Sequence, residues 1–589
     1  MKKVIIGVLA ILGLLSILAV MGVGLLGFLS FLGKPGVPSS TILEVNFEGG
    51  TIEAIPDDPL AEVMLKGSLP VRDVVDALEK AAEDRRVEAL VAKIGAGGMG
   101  FAHIQEIRDA VLRFRESGKP AIAWAETYGE FGPGNGGYYL ATAFDEIYLQ
   151  PSGDIGLTGL MYETVFIRGT LDKLGVTPLM DQRFEYKNAM NMYTERSFTE
   201  PHREAMERMM TSQFEQMLEG IAEGRGITVD QARELVDRGP FLASEALEAG
   251  LVDGLAYRDE VTRKVRESAG ERARLLFLSR YLERAGRPHG KGETVALIHG
   301  YGAVTRGQSG YSPLTGSVSM GSDTVATALR AAIDDDRVKA ILFRVDSPGG
   351  SYVASDTIWR ETIRAREAGK PVVISMGNLA ASGGYFVAMN ADRIVAQPGT
   401  ITGSIGVLGG KMLTTGFWDK LGISWDDVHT SSHSTQWTGL HDYTESGYER
   451  FQASLDRIYH DFTSKVADGR SLELEEVRRI AKGRIWSGED ALELVLVDAL
   501  GGYHVALDEV REILELDDDA PLKLKVFPRK RGALESLLGE EAESSESAAV
   551  ATLAQVLRTI QPTVRLMQQM GLSGEQEALL MTPLSSEQP

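Results

Sequence analysis

The stretch VKAILFRVDSPGGS, residues 338–351, decides the fold of this chain. Its first part is a mostly apolar run with the length of one strand, which is typical of a strand buried on both faces of a parallel sheet. A glycine-rich turn follows at once, and open α/β sheets bind ligands beyond the carboxyl ends of such strands. Just before it, DTVATALRAAIDD (323–335) spaces its apolar residues as an amphipathic helix does. The sequence therefore predicts an α/β unit with a site at the glycine-rich turn.

This unit occurs twice in the chain. VEALVAKIGAGGMG (87–100) stands 251 residues before the quoted stretch, and GKPAIAW (118–124) stands at the same distance before GKPVVIS (369–375). NGGYYLATAFDEIYLQP (135–151) precedes SGGYFVAMNADRIVAQP (382–398) by 247 residues. Such internal similarity indicates a duplicated fold. We therefore expect two tandem α/β domains, each built around a largely parallel sheet.

Composition narrows the range of partners. The chain has 589 residues, of which 61 are basic and 83 acidic, and its net charge is −22. This charge repels phosphate backbones, so nucleic acid is not an expected partner. The chain has no cysteine, which excludes a disulfide framework, a thiolate nucleophile and a cysteine-rich metal site. The acidic runs lack metal-ligand spacing, and we expect neither a metal nor another cofactor.

The N-terminus is strongly apolar. Thirty residues, from Val4 to Gly33, carry no charge, and about 20 such residues are enough to cross a bilayer core. The run is longer than the apolar core of a cleavable signal peptide, and no small-residue cleavage site follows it. We therefore expect an uncleaved, single-pass membrane anchor. Lys2 and Lys3 precede it, which by the positive-inside rule puts the globular body outside the cytoplasm.

The chain divides into five predicted segments. They are a transmembrane anchor (1–33), a linker rich in Pro, Gly and Ser (34–42), an N-terminal half (43–290), a C-terminal half (291–525) and an acidic, amphipathic C-terminal tail (526–589). The tail begins where the composition shifts to charged residues and serine, and apolar residues at helical spacing follow. We expect the tail to pack on the body as a helix or to remain partly disordered.

The two copies differ at one serine. Ser382, in NLAASGGYFVAMN, corresponds to Asn135 in the first copy, so only the second copy has a nucleophile there. The match of RFEYKNAMNMYTE with SHSTQWTGLHDYTE places the counterpart of Lys187 near Gln436 or Trp437. Each half thus holds one candidate and lacks the other, as expected if the duplicated halves share a single site.

Four motifs carry a family resemblance. DSPGGS, NLAASGGY and TGSIGV in the second half, with YKNAM in the first, resemble the signal peptide peptidase A family of the long, duplicated bacterial type. The resemblance covers roughly residues 45–510 and implies two tandem ClpP/crotonase-like domains after the anchor. It also implies a serine–lysine dyad, with Ser382 as the nucleophile and Lys187 as the general base. Ser404, in TGSIG, matches a serine that hydrogen-bonds the lysine in that family.

The resemblance also implies a function and a location. The chain would be a serine endopeptidase, anchored in the inner membrane through residues 4–33, with its catalytic body on the periplasmic side. Its substrates would be extended, apolar peptides, in particular cleaved signal peptides that remain in the membrane. Family members assemble into a bowl whose active sites line the inside, so a homo-oligomer, a tetramer, is the expected form.

A serine–lysine dyad imposes two physical requirements. Lysine is protonated at neutral pH, so burial must lower the pKa of Lys187 before it can take the proton of Ser382. The reaction also needs backbone amides that stabilise an oxyanion, and glycine lets them approach closely. We expect these amides from Gly383 and from either Gly349 or Gly350.

Other interpretations remain open at this point. One of the nine histidines could act as the base, although none lies about 25 residues after Ser382, where a ClpP-like protease has its histidine. The same fold also supports acyl-CoA chemistry, in which glycine amides stabilise a thioester enolate. A third possibility is a non-catalytic membrane scaffold that gathers partners through its acidic surface. Ser382 by itself could also be a helix N-cap.

Overall fold

The computed structural model describes residues 36–95, 97–270, 272–528 and 579–581. The strands are β1 (Thr41–Asn46), β2 (Thr51–Ile52), β3 (Leu69–Pro70), β4 (Val87–Lys93), β5 (Ala121–Ala125), β6 (Glu146–Leu149), β7 (Asp154–Ile155), β8 (Thr177–Arg183), β9 (Phe241–Leu242), β10 (Gly254–Leu255), β11 (Arg274–Phe277), β12 (Glu293–Tyr301), β13 (Ala303–Thr305), β14 (Gly310–Tyr311), β15 (Val318–Gly321), β16 (Val338–Ser347), β17 (Gly349–Ser351), β18 (Val372–Ala381), β19 (Arg393–Ala396), β20 (Ile401–Gly403), β21 (Val407–Leu413), β22 (Ile485–Ser487), β23 (Ala499–Leu500), β24 (Leu522–Phe527) and β25 (Leu579–Met581).

The helices connect these strands. They are α1 (Pro59–Met64), α2 (Val71–Glu83), α3 (Phe101–Glu116), α4 (Asn135–Ala141), α5 (Arg168–Leu174), α6 (Asn191–Thr194), α7 (Glu200–Arg225), α8 (Val229–Arg238), α9 (Ala243–Glu248), α10 (Arg258–Ala269), α11 (Leu278–Ala285), α12 (Ser322–Asp334), α13 (Tyr352–Glu367), α14 (Gly383–Ala388), α15 (Thr415–Lys420), α16 (Glu445–Arg470), α17 (Leu474–Ile480), α18 (Gly488–Glu493) and α19 (Tyr503–Ile513), with a 3₁₀ helix at Asn188–Met190.

The predicted anchor and most of the predicted tail lie outside the described residues. Among the residues that are described, no helix is both long enough and apolar enough to span a bilayer. The predicted boundary between the halves, at 290/291, lies in the short connection between α11 and β12. The last strand of the second half, β24, runs to Phe527.

The two halves have the same sheet topology. In the first half six parallel strands follow the order β10, β6, β5, β4, β1 and β11. In the second half the corresponding strands follow the order β23, β19, β18, β16, β12 and β24, and these pairings are also parallel. The duplicated α/β architecture predicted from the sequence is therefore present.

The predicted helix at 323–335 is α12, and its spacing explains its position. Val325, Ala328, Leu329 and Ala332 recur at intervals of three or four residues and are all buried. They cover one face of the second sheet, where the strands are buried on both faces. This is the arrangement that the apolar pattern of the sequence predicts.

Two central strands end side by side in the second half. β16 pairs with β18, and the register brings Ser347 opposite Ala380. Because both strands run in parallel, their carboxyl ends meet at the same edge of the sheet. β17, which carries the predicted oxyanion glycines, and Ser382, which follows β18, therefore lie next to each other.

One small sheet joins the two halves. β8 from the first half pairs antiparallel with β21 from the second, from Thr177 opposite Leu413 to Arg183 opposite Val407. Lys187 lies shortly after β8, and Ser404 lies shortly before β21. The pairing therefore brings the lysine segment of the first half to the edge of the second sheet, where Ser382 stands.

Candidate active site

Ser382 occupies a strained position between β18 and α14. It is fully buried and has φ 56° and ψ −114°, a backbone conformation that favours glycine over residues with a side chain. Hydrogen bonds hold this conformation, because the Ser382 amide donates to Gly403 O at 2.8 Å and the Phe386 amide donates to Ser382 O at 2.8 Å. The Ser382 side chain makes no capping hydrogen bond to α14, so Ser382 does not serve as a side-chain N-cap.

The side chain of Lys187 meets that of Ser382 across the junction of the halves. Nζ of Lys187 lies 2.6 Å from Oγ of Ser382. The same nitrogen donates to the carbonyl oxygen of Ser404 at 2.8 Å and to its Oγ at 3.0 Å. Lys187, Ser382 and Ser404 each have a relative exposure of 0%. The structure thus brings together the three residues that the sequence motifs single out.

These contacts suit an uncharged amine. A neutral lysine has two N–H groups and one lone pair. The two N–H groups donate to the carbonyl and hydroxyl oxygens of Ser404, which leaves the lone pair for the O–H of Ser382. Burial lowers the pKa of Lys187 well below its usual value, because water cannot stabilise the ammonium form there.

The second half of the chain packs closely against Lys187. A Cβ on Gly483 would lie 2.5 Å from the Cβ of Lys187, so only glycine fits against the lysine. Two charged neighbours in the sequence are engaged elsewhere: Arg183 binds Asp456 at 2.6 Å, and Glu185 pairs with Lys482 at 2.9 Å. Neither contributes to the lowered pKa of Lys187, whose cause is desolvation.

Three glycines pack tightly beside Ser382. A Cβ on Gly383 would lie 3.0 Å from the amide nitrogen of Gly350 and 3.2 Å from Cα of Gly349. Gly349 and Gly350 have φ of 103° and 155°, which also favours glycine. The amide of Gly349 already donates to Oγ of Ser347 at 3.2 Å. The glycines whose amides were expected to stabilise the oxyanion are thus adjacent. Of the two alternatives for the second amide, that of Gly349 donates to Ser347 in this structure.

The first half carries an inert version of this site. Asn135, the counterpart of Ser382, accepts hydrogen bonds from the Thr158 and Gly159 amides at 3.0 and 3.1 Å and donates to Gly159 O at 2.8 Å. Asn135 therefore holds the loop at residues 158–159 in place. The counterpart of Lys187 was misplaced at Gln436 or Trp437.

The long helices show why that alignment was wrong. α7 and α16 have 26 residues each, and both begin after a threonine N-cap, Thr199 and Thr444. These two threonines are equivalent, whereas the sequence comparison matched Thr194 with Thr444. The offset between copies is therefore 245 to 247 residues here, and the segment 432–434 stands where Lys187 would be.

Within the part of the chain that the structure describes, no histidine is hydrogen-bonded to Ser382. His429, His433 and His441 are exposed or half-exposed, as expected, and their partners are Asp427 and Ser446. His202 and His299 are largely buried, and burial lowers the pKa of each to about 4. The partner of the Ser382 hydroxyl is Lys187 rather than a histidine.

A buried ionic cluster connects the halves behind the site. Arg344 has no exposed surface and binds Glu53 at 3.0 and 3.1 Å and Glu106 at 2.8 Å. Asp346 lies beside it and accepts a hydrogen bond from the Leu379 amide at 2.9 Å. Leu379 belongs to β18, three residues before Ser382, so the cluster helps to fix the strand that carries the nucleophile.

The same cluster includes potential metal ligands. Glu53, His103 and Asp346 bring one ligand atom each within 4.8 Å of one another. However, the guanidinium of Arg344 already supplies a positive charge to Glu53, and the Coulombic attraction between them helps to lower the pKa of that carboxyl. The arrangement fits a structural ion network better than a metal centre.

A short strand from the C-terminus lies along the site. β25 pairs antiparallel with β17, with Gly349 opposite Met581 and Ser351 opposite Leu579. Its backbone also runs close to β21. The edge of β17, directly beside the oxyanion glycines, is therefore able to hold an extended peptide backbone.

Comparison with known proteins agrees with this geometry. The model of Peptidase family S49 matches residues 113–272 and 364–517, which is one match in each half. The chain belongs to peptidase family S49. This S49 chain is a serine protease.

Several relatives align over most of the S49 chain. "Protease 4" of Salmonella typhi is 32% identical over 508 residues, which is 82% of this chain and 80% of the relative. "Protease 4" of Haemophilus influenzae is 30% identical over 77% of this chain and 74% of its own. "Serine protease SPPA, chloroplastic" of Arabidopsis thaliana is 29% identical over 76% and 65%. A solved structure of a ClpP1 mutant from Listeria monocytogenes matches 36% of this chain and 94% of its own, with 14% identity and a TM-score of 0.24.

Sequence reasoning missed the residues that make room for the lysine. Gly483 supports the main chain of Lys187, and its amide donates to Ile405 O at 2.9 Å. Gly406 stands close to both, since a Cβ there would lie 2.6 Å from Arg183 O and 2.9 Å from Cα of Gly483. No local pattern in the sequence marks these two glycines, because each acts through a contact with a distant segment of the chain.

Proposed function

We propose that this chain is a membrane-anchored serine endopeptidase in which Ser382 is the nucleophile and Lys187 is the general base. The observation that carries the proposal is the 2.6 Å separation of Nζ and Oγ in a fully buried pair. Oγ attacks the peptide carbonyl while its proton passes to Nζ, and the C–N bond then breaks as Lys187 returns that proton to the leaving amine. Water attacks the resulting acyl-enzyme with the same base.

The oxyanion of each tetrahedral intermediate needs two donors. We assign the amide of Gly383, directly after the nucleophile, and that of Gly350. The Gly349 amide is less suitable because Ser347 already accepts its proton. Donors of this kind contribute about 2.7–4 kcal/mol each in serine proteases. Ser404 orients Lys187, because its carbonyl oxygen and its hydroxyl oxygen both accept hydrogen bonds from Nζ.

The substrates are extended, apolar peptides. The edge of β17 supports the extended conformation of the substrate, because it pairs with the backbone of β25 as it would with a bound peptide. Cleaved signal peptides are apolar and reside in the membrane, next to a catalytic body that is tethered there. They are therefore the substrate class that we propose.

Location and assembly complete the proposal. Residues 4–33 anchor the chain in the inner membrane, and the body lies on the periplasmic side. The family resemblance supports a homo-oligomer, a tetramer. No nucleic acid, metal or other cofactor takes part in the proposed reaction.

The decisive test is peptide hydrolysis by the full chain in detergent micelles. We expect the wild-type protein to cleave an apolar signal peptide, and Ser382→Ala and Lys187→Ala to be inactive. A serine-reactive phosphonate should label the wild-type protein at Ser382. Peptide turnover that survives Ser382→Ala would show that Ser382 is not the nucleophile. Turnover of an acyl-CoA thioester by Ser382→Ala, without peptide hydrolysis by the wild-type protein, would favour acyl-CoA chemistry on this fold, and absence of both turnover and labelling would favour a scaffold.

The location has its own test. The natural chain has no cysteine, so a single Phe131→Cys variant carries one thiol at a position that is 100% exposed. We expect a membrane-impermeant maleimide to label this variant in intact spheroplasts. Labelling only after the membrane is broken would place the body on the cytoplasmic side and contradict the proposal.

A further inference from the structure

Strand β18 contains a bulge shortly before the nucleophile. Only Asp346 of β16 stands opposite the three residues 377–379 of β18. Before the bulge β18 pairs with β19, and after it β18 pairs with β20, where Ala381 stands opposite Gly403. The carbonyl oxygen of Gly403 accepts the hydrogen bond of the Ser382 amide. The bulge therefore bends β18 toward the strand that holds the nucleophile in place.

Side chains from the second half hold the backbone of the bulge. The carbonyl oxygen of Gly377 accepts a hydrogen bond from the hydroxyl of Thr400 at 2.8 Å. The amide of Leu379 donates to Oδ1 of Asp346 at 2.9 Å. Asn378 stands between these two residues of the bulge, and its side chain contacts the first half instead.

The contact of Asn378 with the first half is a helix cap. Oδ1 of Asn378 accepts a hydrogen bond from the backbone amide of His103 at 3.0 Å. His103 is the third residue of α3, and the first amides of a helix have no acceptor within the helix. A Cβ on Gly100 would lie 2.1 Å from Cγ of Asn378, so the side-chain amide covers the start of α3 directly. Asn378 therefore caps α3 from the other half of the chain.

The duplication shows that this cap replaces a local one. Gly100, which precedes α3, corresponds to Ser351, which precedes α13, at the offset of 251. The side chain of Ser351 accepts a hydrogen bond from the Ala354 amide, so α13 is capped by its own N-cap residue. Gly100 has no side chain that could do the same. Helix α3 thus receives from Asn378 a cap that α13 has locally.

Helix α3 also contacts the turn that precedes β20. Oε1 of Gln105 accepts a hydrogen bond from the Gly399 amide at 2.7 Å, and a Cβ on Gly399 would lie 2.2 Å from Cδ1 of Phe101. β20 in turn holds the amide of Ser382. The beginning of α3 therefore supports both strands that hold the nucleophile.

We propose that Asn378 is a positioning residue of the protease: its cap on α3 fixes the bulge that directs Ser382 toward Lys187. The inference rests on the serine–lysine pair proposed above. The first half carries the lysine and the second half carries the serine, so a contact between the halves four residues before Ser382 bears directly on their separation. Ser382 needs such support, because a strained backbone conformation persists only where its surroundings impose it.

The first test removes the cap. In Asn378→Ala we expect kcat for an apolar peptide to fall by about 100-fold, because a displacement of about 1 Å at a catalytic group has that effect. KM should stay at the wild-type value, because Asn378 supports the nucleophile and not the peptide. Steady-state hydrolysis by the full chain in detergent micelles measures both constants. Wild-type kcat in Asn378→Ala would overturn the inference.

A second variant separates position from stability. Asn378→Ala/Gly100→Ser gives α3 the local cap that α13 has, because the three atoms nearest to a Cβ at Gly100 belong to the side chain of Asn378. We expect this double variant to regain the melting temperature lost in Asn378→Ala but to keep the low kcat, because the contact between the halves is still absent. Recovery of kcat together with the melting temperature would show that Asn378 only stabilises the helix, and would overturn the inference.

A cap far from the site is the matched control. The side chain of Thr228 caps α8 and accepts a hydrogen bond from the Gln231 amide at 3.2 Å. Thr228→Ala should lower the melting temperature by a few degrees, as Asn378→Ala does, and leave kcat unchanged. An equal loss of kcat in both variants would show that loss of stability alone lowers the rate, and would overturn the inference.

The wild-type protein separates this inference from the function on which it rests. An inactive wild-type protein would overturn the proposed protease and the role of Asn378 together. An active wild-type protein that loses turnover in Ser382→Ala, but not in Asn378→Ala, would keep the protease and overturn only the positioning role.

Discussion

Gly483 lies directly against Lys187: a Cβ on the glycine would stand 2.6 Å from the lysine Cα and 2.6 Å from its amide nitrogen. These are main-chain atoms, so the lysine segment itself must move to admit a methyl group. We predict that Gly483→Ala lowers kcat by about 100-fold or more, because a displacement of about 1 Å at a catalytic group has that effect. Steady-state hydrolysis of an apolar peptide measures this change.

A matched control separates displacement from backbone strain. Gly483 and Gly369 have similar positive φ angles, 81° and 74°, but a Cβ on Gly369 would meet nothing within 4 Å. Gly369→Ala therefore carries the strain without the collision, and we expect wild-type kcat. Equal activity in both variants would show that Lys187 does not depend on this support.

The pH dependence of activity should report the protonation of Lys187. Burial lowers the pKa of Lys187, and only the uncharged amine can take the proton of Ser382. We therefore expect kcat/KM to rise with pH along an acidic limb whose apparent pKa lies well below that of an ordinary lysine. Peptide hydrolysis across a pH series measures the limb. A pH-independent rate, or a limb that persists unchanged in Lys187→Ala, would contradict the assignment.

The lowered pKa of Lys187 also affects the stability of the fold. A lysine whose pKa is lowered in the folded state binds fewer protons there than in the unfolded chain, so its burial costs free energy below its ordinary pKa. Lys187→Met removes this cost, and we expect a higher melting temperature at neutral pH. The gain should shrink as the pH rises towards the ordinary lysine pKa. A melting temperature that falls at all pH values would show that the side-chain contacts of Lys187 stabilise the fold.

The sequence predicts those parts of the fold and of the site that have a recognisable pattern in the sequence. The strand VKAILFRV, the helix at 323–335 and the duplication have local patterns, and the structure has them as β16, α12 and two sheets of equal order. The association of Lys187 with Ser382 was predictable only through motifs in the two copies. No property of the segment around Lys187 alone distinguishes it from an exposed lysine.

The glycine that packs against Lys187 has no recognisable pattern in the sequence. Gly483 acts on Lys187 through a contact between residues almost three hundred positions apart, which neither periodicity nor composition encodes. The error in the counterpart of Lys187 has a similar origin. Thr194-Glu195 and Thr199-Glu200 are identical dipeptides, and only the capping geometry of Thr199 decides between them.

The buried Arg344 cluster should contribute strongly to stability. Arg344 has no exposed surface, and its two carboxylate partners, Glu53 and Glu106, come from the other half. Arg344→Met leaves both carboxylates buried without their counter-ion, and we predict a loss of about 3–5 kcal/mol in the free energy of unfolding. Urea unfolding followed by circular dichroism measures the loss. The exposed pair of Arg360 and Glu367 is the matched control, and Arg360→Met should cost less than about 1 kcal/mol.

The C-terminal strand should compete with substrate. Leu579–Met581 occupies the edge of β17, and an incoming peptide would need the same backbone groups. We predict that deletion of residues 579–589 lowers KM for an apolar peptide by about threefold to tenfold and leaves kcat unchanged, because a tethered competitor is removed without a change to the dyad. Initial rates over a range of peptide concentrations measure both constants.

A shorter deletion tests whether the strand itself is responsible. Removal of residues 584–589 leaves Leu579–Met581 in place, so KM should stay at the wild-type value. The free peptide EALLMTP, residues 577–583, should in turn inhibit the longer deletion variant competitively. If the two deletions have the same KM, the tail does not occupy the groove in solution. If the peptide inhibits without competing with substrate, it binds at another surface, and the edge of β17 is free to take up substrate in the full chain.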